Sequence, residues 1–247
     1  MTSRGCVTDI KILMYQKKII MSNIDKSTIQ FLEKLKKNNN RDWFQANKKE
    51  YETAHQNVID FSTELLERLS AHDAIETPTG KKALYRIYRD VRFSKDKSPY
   101  KTWFAGGFKR ATKQLRGGYY FHLEPNSVFA AGGFWGPNKD DLLLIRQQIQ
   151  ADPAPLRKIL ASKSFKSHFG ELKGEQLKTA PKGFDKEDPT VDLLRYKQFL
   201  LSKEIDVSQL TSPKLLDEIE SSFLAMRPFF DYMSEILTTN LNGEPLG

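Results

Sequence analysis

One change of period constrains the fold of this chain more than any other feature. From about residue 82 to 135, apolar and aromatic residues recur at every second position, whereas on either side they recur every third or fourth. A period of two belongs to a pleated strand and a period near 3.6 to a helix. A run of strands between two runs of helices reads as α+β: N-terminal helices, a central curved antiparallel sheet over about 82–135, and C-terminal helices packed on it. Within the sheet region the spacing predicts strands over 85–93, 100–108, 119–124 and 128–135. Seven of the 14 glycines fall between Gly106 and Gly136, three times as Gly-Gly pairs. Glycine inside a strand marks either a bulge or a close backbone approach, and both readings stay open here.

The flanks carry helix punctuation. Ser27-Thr28-Ile29-Gln30 fits a capping box, with Ile29, Leu32 and Leu35 inward and an end at Asn38-Asn39-Asn40. A longer helix is expected from Arg41-Asp42-Trp43-Phe44, with an inward stripe of Phe44, Tyr51, Ala54, Val58, Phe61 and Leu65. Asp42 is a candidate cap for it, and Pro78-Thr79-Gly80 closes the helical region. From Asn138 onward the chain reads as helical. Asp152-Pro153, Asp188-Pro189 and Ser212-Pro213 each set a capping residue before a proline. Asp140-Asp141 reads as negative charge in a helix's first turn. Leu177 to Phe184 reads as a loop. The last helix carries Leu216, Ile219, Phe223, Met226, Phe230, Met233 and Leu237 as a core stripe, with a kink expected at Pro228.

Several function classes drop out. Cys6 is the only cysteine, so no intramolecular disulfide forms, which suits a reducing cytoplasm. No apolar run approaches the roughly 20 residues that span a bilayer, so no membrane role is expected. The longest apolar run near the start, Ile12-Leu13-Met14-Tyr15, is too short for a signal-peptide core. Met21 reads as a second start, so residues 1–20 are expected to be an extension outside the fold, and residues 21–242 a single domain. Gly80-Lys81 lacks the serine or threonine of a phosphate-binding P-loop, and no G-x-G-x-x-G opens a helix. The four histidines, His55, His72, His122 and His168, are too far apart for a local zinc signature. No cofactor or metal is expected, and His122, in the strand region, reads as structural.

Charge points to one stretch. From Lys81 to Arg116 there are 12 Lys and Arg against two Asp and Glu, while the whole chain has 39 against 31 and therefore only 27 against 29 elsewhere. Read as a strand, Tyr85 to Phe93 places Ile87, Arg89, Val91 and Phe93 on one face and Arg86, Tyr88, Asp90 and Arg92 on the other. Arg89 on the apolar face requires a carboxylate, for which Asp42 is the candidate. On the polar face, Arg86 and Arg92 are candidate clamps for an oxyanion, because a guanidinium offers two parallel donors. Lys95, Lys97 and Lys101 add positive field, and Tyr88 or Tyr100 a hydroxyl. Asp90 is the weak catalytic candidate, since neighbouring arginines keep it ionised. The best reading is a site for a small phosphorylated or carboxylated ligand on 85–102. One alternative is a structural or interaction module built on an Arg/Asp network. The other is a nucleic-acid-binding domain in which Tyr88, Tyr100 or Trp103 stacks on bases. Oligomeric state is not legible.

Asn40-Arg41-Asp42-Trp43-Phe44, the stretch Tyr85 to Thr102, and Leu177-Lys178 followed by Pro181-Lys182-Gly183-Phe184 together resemble the family known as domain of unknown function 2461. That family comprises uncharacterised conserved proteins, mainly bacterial and also fungal. The resemblance covers about residues 24–240 and leaves residues 1–20 outside. It is consistent with an α+β fold. It supplies no catalytic residue, because the family has no established activity.

Overall fold

The computed structural model describes residues 23–246. The expectation for residues 1–20 lies outside the described residues. Two layers make up the α+β fold, with helices on one face of an open antiparallel sheet.

Helix α1 (Lys26–Lys37) buries Thr28, Phe31, Leu32 and Leu35 and ends at Asn38. Its cap position is Asp25, one turn-start earlier than the expected capping box, so Ser27 lies inside the helix. The expected long helix is two. Helix α2 (Arg41–Ala46) is capped by Asn40, whose side chain accepts from the Trp43 N–H, and not by Asp42. After a break at Asn47 comes α3 (Lys48–Ser70), and it buries Ala54, Val58, Phe61 and Leu65 as the spacing predicts. Thr79 caps a single turn, α4 (Gly80–Ala83).

The sheet has four strands in sequential order: β1 (Phe104–Lys109), β2 (Gly118–Glu124), β3 (Ser127–Phe134) and β4 (Phe199–Ile205). β4 lies far beyond the expected 82–135 boundary. Its first residues, Phe199-Leu200-Leu201, are continuously apolar and the next three are polar, so the sequence shows no alternation there. The reverse correction applies to Tyr85–Phe93, which forms no regular strand. Single bridges hold it instead, Leu84 to Gly106 and Tyr88 to Tyr100. Alternation survives in the exposures, with Ile87 buried and Arg86, Tyr88, Asp90 and Arg92 exposed. It fails at Phe93, which is 95% exposed.

Between β3 and β4 run α5 (Lys139–Ala151), α6 (Ala154–Ala161), α7 (Lys163–Phe169) and α8 (Val191–Leu194), and after β4 comes α9 (Leu215–Thr238). Asn138 caps α5, with Asp140 and Asp141 in its first turn as expected. Helix α9 runs through Pro228 and buries the whole expected stripe. It packs on β2, β3 and β4, while α3 covers β1. The inward rows of the sheet are Phe104-Leu123-Val128-Ile205, Gly106-Phe121-Ala130-Lys203 and Phe108-Tyr119-Gly132-Leu201, and their apolar side chains join one hydrophobic core with α3 and α9.

Candidate functional site

Among the described residues the opposite face of the sheet carries no helix layer. Its rows are Ala105-His122-Phe129-Glu204 and Gly107-Tyr120-Ala131-Ser202, with Gly133 paired to Leu200 beyond. Small residues at Gly107, Ala131 and Gly133 make the floor low. Both edges rise. Beyond β1 the Tyr85 N–H donates to the Ala105 carbonyl at 2.9 Å. Beyond β4, Lys173 and Leu200 exchange two backbone hydrogen bonds of 2.8 and 2.9 Å. These one-bridge neighbours cover the sheet edges and wall a trough of about 910 Å³. That volume falls in the range of small-molecule sites, about 300–1,000 Å³.

Tyr85, Tyr120, Phe129 and Trp135 line the trough, together with Lys82, Lys109 and Lys173. Among the described residues no Asp or Glu lines it. Lys82 is exposed and makes no ion pair with the described residues, while Lys109 pairs with Glu76 at 3.1 Å. Lys173 donates to the Ser202 carbonyl at 3.4 Å. The surface therefore combines aromatic rings with lysines.

The Gly-Gly pairs explain the shape. In each of two pairs, one glycine faces the helices and the other the trough. A Cβ on Gly106 would meet the Phe121 ring at 2.6 Å, and one on Gly132 the Phe230 ring at 2.7 Å. Gly107 and Gly133, next in sequence, line the trough. At Gly107 a Cβ would lie 3.2 Å from the Tyr85 hydroxyl.

Deeper on this face, His122 is buried between aromatics. Its ring stacks on Phe129 at 4.7 Å and lies 5.0 Å from Trp103. Nδ1 is 3.0 Å from the Tyr120 hydroxyl, and Nε2 is 3.5 Å from a Glu124 oxygen. Burial lowers the His122 pKa, opposed by its hydrogen bond to Glu124. The Tyr120 phenol is pushed up to about 12, chiefly by burial.

The candidates on 85–102 are placed differently, and none of them lines the trough. Arg92 is engaged by its own neighbour: Nε and Nη2 donate to the two Asp90 oxygens at 3.0 and 2.7 Å. These bonds hold Asp90 below the usual carboxylate range, which makes it a poor base. Lys97 donates to the Val91 carbonyl at 3.0 Å. Arg86, Tyr88 and Lys95 are exposed. Tyr100 is a core residue, stacked on Phe44 at 4.0 Å with its backbone clamped by Asn39. Arg89 does not meet Asp42. It pairs with Asp96 and donates to the Ser98 carbonyl at 3.3 Å, because the turn after Phe93 folds back and brings its own carboxylate. Lys101 is the candidate that reaches the trough's surroundings. Its ammonium donates to the Arg86 carbonyl at 2.7 Å and sits 4.8 Å from the Trp103 ring centre and 5.8 Å from that of Tyr85. Burial, with Arg86 second, lowers its pKa.

A buried ion network does exist, elsewhere. Arg110, 1% exposed, donates to both Asp73 oxygens at 2.7 and 3.3 Å and to Asp231 at 2.5 Å, and Tyr119 donates to Asp73 at 2.6 Å. Sequence reading missed this network and the trough alike. The only advance signals were the Gly-Gly pairs and the alternation of Tyr120 and His122.

Among the described residues no helix is long and apolar enough to cross a membrane. No curated protein and no solved structure matches the chain. The model of one family, described as conserved hypothetical protein (DUF2461), matches residues 27–232. Two of the three motifs that carry the resemblance meet in space, since Phe44 stacks on Tyr100, and the chain belongs to that family.

Proposed function

We propose that the trough binds a small ligand with a planar, apolar body and an anionic end. One observation carries this reading: a cavity on the sheet face opposite α3 and α9, lined by aromatic rings and lysines and, among the described residues, by no carboxylate. Tyr85, Tyr120 and Trp135 offer ring faces to the body, and Lys82 and Lys173 the charge to the anion. The segment 85–102 then serves as scaffold, since both of its aspartates are paired to its own arginines and the Tyr85 N–H ties it to Ala105 of β1. That is the structural reading of the Arg/Asp cluster, and it coexists with a ligand in the trough.

A thermal-shift panel tests the reading by splitting the ligand into halves. Phenyl phosphate and a nucleoside monophosphate are expected to raise the melting temperature at low salt, with inorganic phosphate and benzyl alcohol each giving much less. Equal protection by phosphate alone would move the site to a bare cationic surface. No protection by any member would remove the ligand reading. Protection only by oligonucleotides, with a steep salt dependence, would replace it with a nucleic-acid role.

A further inference from the structure

Resting on that ligand-binding reading, we propose that the trough is also a reaction site, with the Tyr120 hydroxyl as nucleophile, His122 as the base that takes its proton and Glu124 as the positioning residue that orients the imidazole. The three occupy alternate positions of β2 and so share the face that carries the trough. Tyr120 lines the cavity, while His122 sits behind it and does not. The Glu124 carboxylate beside Nε2 can only accept, which sets the imidazole proton on Nε2 and leaves Nδ1 to accept from the phenol. Stacking on Phe129 and contact with Trp103 fix the ring plane. Nucleophile, base and orienting group therefore stand in hydrogen-bonded order, the arrangement that activates a hydroxyl.

In the step this geometry serves, the Tyr120 oxygen bonds to an electrophilic acyl, phosphoryl or sulfonyl centre of the bound anion. The bond to the leaving group breaks and the leaving group departs with the electron pair. The phenol proton passes to His122 Nδ1, and the imidazolium, beside Glu124, returns it to the leaving group or to water. Among the described residues, the charged and titratable groups next to His122 are Glu124 and Tyr120 on its own strand and Glu204 on β4. Lys101 lies across Trp103, and Lys36 of α1 is 3.9 Å from Glu124. Burial outweighs the carboxylates, so the imidazole is neutral at pH 7, as a base must be.

The test uses 4-carboxybenzenesulfonyl fluoride, a planar anion whose sulfonyl centre reports hydroxyl attack by release of fluoride. Its unreactive sulfonamide serves as competitor. Expected is one saturable label, mapped to Tyr120, blocked by the sulfonamide and absent in Tyr120→Phe. The labelling rate is expected to be flat from pH 7 to 9 and to fall in acid as His122 protonates. In His122→Gln it should drop at least tenfold at pH 7 and rise about tenfold per pH unit, as expected for phenolate attack. Glu124→Gln should give an intermediate rate and keep the plateau. A wild-type rate that already rises steadily with pH overturns the proposal, and it does so without any variant. So does labelling confined to Lys82, Lys109 or Lys173, or no labelling at all. If the sulfonamide still raises the melting temperature, only the reaction falls. If it gives no shift and labelling does not saturate, the binding reading falls too.

Discussion

Arg110 and Arg89 show how burial, more than charge, sets the worth of an ion pair. Arg110 is enclosed with Asp73, Tyr119, Asp231 and Ser234. Removing it takes the two-pronged partner from a buried carboxylate and leaves Asp73 only the Tyr119 hydroxyl, the Ala74 N–H and Arg227 at 3.8 Å, so Arg110→Ala should cost about 3 kcal/mol. Arg89 is partly exposed and its partner Asp96 mostly exposed, so Arg89→Ala should cost about 1 kcal/mol or less. Urea midpoints check both, and equal losses would show that the Arg110 cluster is solvated. Arginine on the apolar face of 85–93 was legible from alternation, but its partner was not, because turn geometry and not spacing decides which carboxylate arrives. His122 adds a pH dependence. Its folded pKa lies below the usual histidine value of about 6.5. Below that pH the unfolded chain takes up a proton that the folded one refuses, so stability falls as pH drops from 7 toward 5. His55, also lowered by burial, acts in the same direction. His122→Phe should flatten this decline in urea midpoints, and an unchanged decline would assign it to other groups.

At the scale of elements, the clearest signals were periodic. The stripes of α3 and α9 and the alternation of β2 and β3 were all legible, because each element packs one face on a single core. β4 escaped because its polar second half follows an unbroken apolar start. The cavity escaped because its lining comes from stretches as far apart as Thr77 and Ser202, and no local period reports that meeting. The glycines fix the join between β3 and β4. Gly133 has φ +128°, and a Cβ there would lie 2.2 Å from the Phe199 carbonyl oxygen. Gly133→Ala should therefore lose about 3 kcal/mol or more through strain and parted strands. Gly136→Ala, with nothing within 4 Å, should be close to neutral. Thermal unfolding of the pair checks this, and similar melting temperatures would mean that the β3–β4 register differs.

Across the whole molecule, the helices are spent on one face of the sheet. α3 and α9 supply its core, and the other face keeps aromatic side chains beside lysines with no layer above them among the described residues. The basic stretch 85–102 marked the right neighbourhood. Its arginines face outward or pair internally, and what it gives the trough is the Tyr85 wall. The central claim is that the ligand sits on the sheet and not on the basic segment. Phenyl phosphate titrated calorimetrically into the wild type, Ala131→Trp and Arg92→Ala tests this most directly, since a tryptophan at 131 fills the floor and leaves every lysine in place. Binding should vanish in Ala131→Trp and stay within about twofold of wild type in Arg92→Ala, a difference under about 0.5 kcal/mol. Loss of binding in Arg92→Ala with full binding in Ala131→Trp would contradict the account and place the ligand on the 85–102 segment.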